Sequence, residues 1–311
     1  MKKMINQSHI EGLLYEHKLE LKESGPQSKH PGTKFIMGTV DIATDDACIN
    51  IVSVHFSYVT ATTSKGNTNA TFTTLMNIID GKYGSIMGNG KENAVKLRID
   101  SAIGLNDFYS ERNGKEELIS TKRNEGGFIH VADILSEDEK TRNTFTCDML
   151  ITSVVHIDAD EERNIPEKAI VRGAVFDFRN ALLPVEFSAV NPNAIGYFES
   201  LEASTKEPVF TKIWGRQISE TVVKTITEES AFGEASVREV KNTRKDYVIT
   251  GASKEPYMWD DESSITAAEL TEAMANRETY LATVKQRQDE YKASKNGGAA
   301  TTAPSKTGFN F

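Results

Sequence analysis

Apolar and polar residues alternate in short runs along much of this chain, and the runs occur twice in the same order. Lys18-Leu19-Glu20-Leu21 opens the first series and Ser153-Val154-Val155-His156-Ile157 the second. A polar stretch follows each, Lys22 to Lys29 and Asp158 to Asn164. One offset then aligns Pro31 with Pro166, Ile36 with Val171, Gly38 with Gly173 and Val40 with Val175. Val54-His55-Phe56-Ser57 matches Val185-Glu186-Phe187-Ser188. A short helix-like segment comes next, Thr71 to Ile79 and Asn193 to Leu201, and leads to a strand, Val95 to Ile99 and Val209 to Ile213. Each series closes with a basic hairpin and an apolar strand, Leu118–Arg123 to Phe128–Val131 and Val237–Asn242 to Tyr247–Ile249. Alternation with β-branched and aromatic residues is the pattern of a half-buried strand.

Each series therefore reads strand, strand, strand, short helix, strand, strand. That is the order of the OB-fold, a five-stranded Greek-key barrel; another small barrel or sandwich with a helical insertion is the competing reading. The expected fold is mainly β with a C-terminal helix: two tandem OB-like five-stranded barrels related by internal duplication. The expected boundaries are 1–140 and 144–258 for the barrels, 259–295 for an acidic helix and 296–311 for a disordered tail. Asp260 to Ser264 supplies carboxylates and a hydroxyl for the start of the helix. Leu270, Met274, Leu281, Val284 and Tyr291 are its apolar anchors, and Asn296-Gly297-Gly298 stops it. The tail is small and polar and ends in Phe309-Asn310-Phe311.

Composition narrows the chemistry. No apolar run approaches the roughly 20 residues of a membrane span, so no membrane association is expected. Two cysteines in different series, Cys48 and Cys147, point to a reducing cytoplasm and give no disulfide framework. A net charge of −9 sits poorly with non-specific duplex binding, which needs broad phosphate neutralisation. It still allows basic residues gathered on one face.

Enzyme signals are missing. Gly84 to Glu92 resembles a phosphate loop but has Ser85 where a glycine is needed and Glu92 in place of Ser or Thr. Asp158 to Glu162 fails the calcium-loop pattern at Arg163 and Ala169. The histidines have no metal spacing. A non-enzyme without cofactor is expected.

One segment carries binding chemistry. In Val209 to Arg216, the side chains of Phe210, Lys212, Trp214 and Arg216 share one face of a strand, interleaving aromatics with cations. Bases stack on aromatic rings while cations follow phosphates, the general solution for single strands. Packing of Trp214 under the C-terminal helix is the alternative. Lys96 and Arg98 hold the corresponding strand of the first series. Lys122 and Arg123 in the first series, and Arg238, Lys241, Arg244 and Lys245 in the second, mark the closing hairpins; Lys34 marks the first one. Phe56 with Tyr58, and Phe176 with Phe178, read as core pairs.

With these features the chain resembles single-stranded DNA-binding proteins of phages and mobile elements: OB-like barrels, modest acidity, a flexible tail and an aromatic tip at Phe309 and Phe311. The resemblance is one of architecture over about residues 15 to 311. It implies a non-sequence-specific single-stranded DNA-binding protein of replication or recombination, cytoplasmic, whose tail recruits replication or recombination proteins. Such tails are rich in Asp, whereas Ala299 to Phe311 has no acid. A virion or scaffold component, or a protein-binding adaptor, is the other function class that paired β-barrels serve.

Overall fold

Apolar residues at every second position need a closed interior, and the computed structural model supplies one for each series. The structure describes residues 4–26, 28–160, 166–228, 236–259 and 264–296, with the backbone alone at 220–228, 236–244 and 294–296. The fold is mainly β with a C-terminal helix. The first half contains β1 (Asn6–Glu23), β2 (Lys34–Ala43), β3 (Ile51–Thr60), β4 (Lys96–Arg112) and β5 (Lys115–Val131). The second contains β6 (Asn143–Ile157), β7 (Lys168–Phe176), β8 (Leu182–Ala189), β9 (Val209–Glu228) and β10 (Ser236–Ala252). Helices α1 (Ala70–Ile79) and α2 (Ile86–Asn89) follow β3, α3 (Pro192–Ser200) follows β8, and α4 (Ala267–Asn296) ends the described chain.

The first five strands pair in a ring, β1–β2–β3–β5–β4 and back to β1. All contacts are antiparallel except β3–β5, which closes the ring in parallel through Val54↔Asn124 and His55↔Glu125. The second five repeat that order, with β8–β10 as the parallel closure at Ser188↔Val248. Leu75 and Ile78 of α1 are buried with one core, Ile195 and Phe198 of α3 with the other. Both helices begin alike: the side chain of Asn69 accepts from the N–H of Thr71, and that of Asn191 from the N–H of Asn193. Each cap satisfies a donor that the first helical turn leaves open.

Gly38 and Gly173 occupy matching places. A Cβ on Gly38 would lie 2.0 Å from the carbonyl oxygen of Lys18 on β1, and one on Gly173 would lie 1.9 Å from that of Leu150 on β6. Only a missing side chain lets the neighbouring strand approach this closely. Gly38→Ala and Gly173→Ala are therefore each expected to destabilise the protein by about 1–3 kcal/mol, through forced backbone shifts. Gly38, whose φ is +132°, should suffer more. Urea midpoints measure this, and a silent substitution at one site would contradict the match.

The strands are longer than their alternating runs suggest. The basic residues expected to mark the closing hairpins, Lys122–Arg123 and Lys241–Lys245, lie within strands and not at the turns. The reversal between β4 and β5 falls at Asn113-Gly114, both with positive φ, the geometry of a tight hairpin turn. The result is a long two-stranded arm. Ile103 and Leu105 on it are buried with the core of the second barrel. The β9–β10 hairpin reaches back toward the first: Ser219 N donates to Asn50 Oδ1 at 2.5 Å, and Asn50 Nδ2 donates to the carbonyl of Gln217 at 3.3 Å. Between the arms, Asn124 and Gln217 exchange side-chain bonds of 2.8 and 2.9 Å, and Asn143 Nδ2 donates to the Gln217 carbonyl at 2.6 Å. Asn124 and Gln217 are buried and bond each other reciprocally, which fixes one register for the contact. The strands also join directly, β1 pairing antiparallel with β6 from Asn6↔Cys147 to Ile10↔Asn143.

The C-terminal helix starts differently from expectation. Thr266 is its cap, in a reciprocal box: Glu269 N donates to Thr266 Oγ1 at 3.2 Å, and Thr266 N donates to Glu269 Oε2 at 3.0 Å. Residues 260–263 lie outside the described residues, and Ser264 is buried. The anchors differ as well: Met274 and Tyr291 are exposed, while Ala273 and Arg277 are buried. The tail 297–311, with Phe309 and Phe311, lies outside the described residues.

On the outer wall of the second barrel, His156 Nδ1 pairs with Glu199 at 2.7 Å, with Asp158 and Glu167 at 3.4 and 3.3 Å from Nε2. The Glu199 bond, aided by the other carboxylates, holds the imidazole above its usual value of 6.5. A raised folded-state value means the stabilisation is complete below the unfolded value and fades as pH rises through the folded one. The parent is thus expected to lose melting temperature relative to His156→Gln as pH rises above about 6.5. Parallel curves would remove this ion cluster from the account.

Candidate nucleic-acid interface

Register aligns side chains across the joint between barrels. His9 on β1 lies opposite Asp100 on β4 and Thr144 on β6; Asp100 lies opposite Phe128 on β5, and Thr144 opposite Arg216 on β9. The adjacent row runs Gln7, Thr146, Trp214 and Gly251. Neighbours at these positions, Ile99, Ile129, Phe145 and Ile213, point into the cores, so both rows face outward. The outcome is one sheet face continuous across two barrels.

Trp214 is 40% exposed. Its ring lies over Gly251, where a Cβ would come within 2.4 Å of the indole. The glycine leaves a flat seat for the ring, beside the register shift between Ile249 and Gly251. Lys212 and Arg216, both half-buried, flank it on the same strand. Arg216 Nε is buried without a hydrogen-bond partner among the described residues.

Phe210 requires a correction. It shares the outward parity of Lys212, Trp214 and Arg216 but is wholly buried. It packs with Met4, Leu150, Phe176, Ile265 and Ala273, and its ring centroid is 5.1 Å from that of Tyr257. The segment leading into α4 covers this end of the face. Tyr257 O–H donates to Asp148 Oδ1 at 3.0 Å, and the N–H of Ile5 donates to Oδ2 at 2.7 Å. Burial and the Asp148 charge push the Tyr257 hydroxyl up to about 12, which keeps it a donor. Beyond this cover the face opens at Lys212. No base can stack on Phe210.

Lys96 and Arg98 hold the first-barrel side of the same face, both exposed. Arg98 donates to Glu11 from Nε and Nη2 at 3.3 and 3.2 Å, and Lys96 to the carbonyl of Asp133 at 3.0 Å. The Glu11 side chain is 1% exposed. Burial pushes its carboxyl up, but bonds from Ser136, His9 and Arg98 outweigh that and hold it below the ordinary carboxylate range.

The remaining cations lie elsewhere. Lys122 on the first arm stands 5.2 Å from the Phe187 ring and 4.8 Å from the Tyr247 ring and donates to the carbonyl of Glu186. Burial pushes its ammonium below the usual lysine value, with Asp246 and Glu186 pulling it back. Its charge is committed to seating the arm on the second barrel, which corrects its reading as a closing-hairpin cation of the nucleic-acid interface. The arm and the outer wall of β7 and β8 enclose an open groove of about 430 Å3 lined by Leu105, Ser120, Lys122, Arg172, Pro184 and Glu186. Arg123 is bonded to Glu125. Lys245 is exposed on β10, beside Asp41 of the first barrel. Lys241 and Arg244 pair with Val223 and Glu220 in β9; their side chains lie outside the described residues.

Lys34 opens β2 next to an aromatic pair that sequence reasoning passed over. A bulge sets Ile36↔Val59 and Gly38↔Phe56, two residues of β3 against one of β2. It separates Tyr58 from the buried Phe56 and turns it onto the outer wall, its ring centroid 4.5 Å from that of Phe35. Phe178, paired with Phe176 in the sequence reading, is likewise exposed. Phe128, read as part of an apolar strand, is 66% exposed on the junction face.

No helix among the described residues is long and apolar enough to cross a membrane. A family model described as YorF matches residues 4–287. No curated protein matches the chain. Among solved structures, a deletion mutant of the single-stranded DNA binding protein from Thermus aquaticus aligns with a TM-score of 0.44 and 11% identity, over 85% of this chain and 100% of that one. The wild-type protein aligns with a TM-score of 0.44 and 9% identity, over 86% and 98%.

Proposed function

We propose that this chain, which belongs to the YorF family, is a single-stranded DNA-binding protein with little sequence preference and no catalytic step. The observation that carries the reading is Trp214: an exposed indole on a glycine seat, flanked by Lys212 and Arg216, on an open face. A ring of this kind accepts the π-face of any base, while cations beside it meet the backbone. The barrels add support, since their strand order is that of folds that bind oligonucleotides.

The reading extends to a replication or recombination role in a phage or mobile element, in the host cytoplasm, with Phe309 and Phe311 recruiting a partner protein. It treats the two barrels as copies of one ancestral unit. The duplicate strand order and the matching Gly38 and Gly173 support that last point.

Fluorescence anisotropy with a labelled oligothymidine tests the reading. Saturable binding that unlabelled single strands displace, and duplex of equal length displaces poorly, is expected. Equal displacement by duplex would contradict the single-strand assignment, and no binding would leave the assembly role of paired barrels as the reading to pursue.

A further inference from the structure

We propose that the bound strand crosses the joint between the barrels and that Phe128 is its second stacking platform. This deepens the single-strand reading and rests on it. Phe128 and Trp214 are the exposed aromatic rings in the two outward rows, and they stand toward opposite ends. From β5 through β4, β1 and β6 to β9 there are four strand spacings, or about 19 Å. One side chain lies on each barrel, and each sits at a break in register. The break beside Phe128 falls between Asp100 and Ser101, and the break beside Trp214 between Ile249 and Gly251. The Phe128 break lies on its own strand, at Gly127, and re-aims that ring, while the Trp214 break lies on β10 and brings Gly251 under the indole.

The ground between them suits a polyanion. Gln7, Thr144 and Thr146 are short or flexible and leave no bulky side chain in the way. Arg98 and Lys96 lie on one side, Arg216 and Lys212 on the other. The half-buried Arg216 lies on the row that leads to Phe128. Asp100 opposes a phosphate, and His9, 3.4 Å away, offsets that charge when protonated. A strand confined to the second barrel would use neither Phe128 nor Arg98, and one confined to the first would leave Trp214 unused.

The test uses the full chain and an oligothymidine of about 16 nucleotides, the upper range for one barrel of this type. Phe128 is exposed, so Phe128→Ala should melt with the parent and bind about 5- to 150-fold more weakly. Phe128→Trp in a Trp214→Phe background should restore binding and show fluorescence quenched by the oligonucleotide, against the fixed signal of Trp259. If Trp214→Ala weakens binding while Phe128→Ala binds within about twofold of the parent and a Trp at 128 is not quenched, the crossing path is wrong and the single-strand reading stands. If the parent fails to bind at low salt, the reading itself falls and the path with it.

Discussion

Asp107→Asn should cost about 3–5 kcal/mol of stability, the usual consequence of leaving one charge of a buried pair alone. The Asp107 side chain is 1% exposed and that of its partner Arg277 is 9% exposed. Arg277 Nη1 and Nη2 donate to the two carboxylate oxygens at 2.7 and 2.6 Å, and Ser120 donates a further bond at 2.5 Å. This is the parallel two-bond geometry that makes Arg–carboxylate pairs strong. It also fixes α4 to the arm of the first barrel. The other contacts of the helix with the arm are more open, Lys285 and Lys292 with Glu116 and Gln288 with Tyr109. Exposed ion pairs contribute under about 1 kcal/mol, so Glu116→Gln should be nearly silent. Denaturant midpoints compare the two variants, and hydrogen exchange shows whether residues 267–296 open first. Replacing both partners by apolar side chains should restore most of the loss. An Asp107→Asn variant within about 1 kcal/mol of the parent would mean that α4 is held by something else.

The largest expected loss of binding comes from Trp214→Ala with Lys212→Ala. Removing one stacked base costs roughly 1–3 kcal/mol, or about 5- to 150-fold, and the lysine adds a phosphate contact to that. Trp214 is 40% exposed and its seat, Gly251, belongs to the opposite strand, so truncation opens no cavity in either core. The melting temperature should hold. Folded double variant that binds as tightly as the parent places the interface elsewhere, and the wall carrying Phe35, Tyr58 and Lys34 becomes the next surface to examine.

The sequence carried the order of the elements because each strand advertises its buried side at every second residue, and because Gly38 and Gly173 recur at one offset. It carried less about strand length. The first arm alternates weakly past Asn106, since its faces meet the second barrel and α4 rather than a single core. The Asn113-Gly114 turn was the available signal for the first arm. Bulges defeat parity: one in β3 separates Tyr58 from Phe56, and no run of residue types announces it. Along β9 the parity was right, yet Phe210 and Trp214 differ in exposure because a distant segment, Tyr257 and Ile265, covers one end. The core-under-helix alternative weighed for Trp214 thus applies to Phe210. Phe128 looked like one more strand apolar, and only the pairing of β1 with β6 brings it into line with Trp214. The cap at Thr266 was legible as Thr-x-x-Glu, but the denser acidic run before it drew the boundary.

The central claim is that this face holds a single strand by stacking and phosphate contacts, and a salt series of Trp fluorescence titrations with oligothymidine tests it most directly. With Lys96, Arg98, Lys212 and Arg216 meeting about four phosphates, log K should fall against log salt with a slope of about −3. Quenching should persist at saturation at every salt concentration and vanish in Trp214→Phe. Binding with no quenching, or a flat salt dependence, would contradict the account.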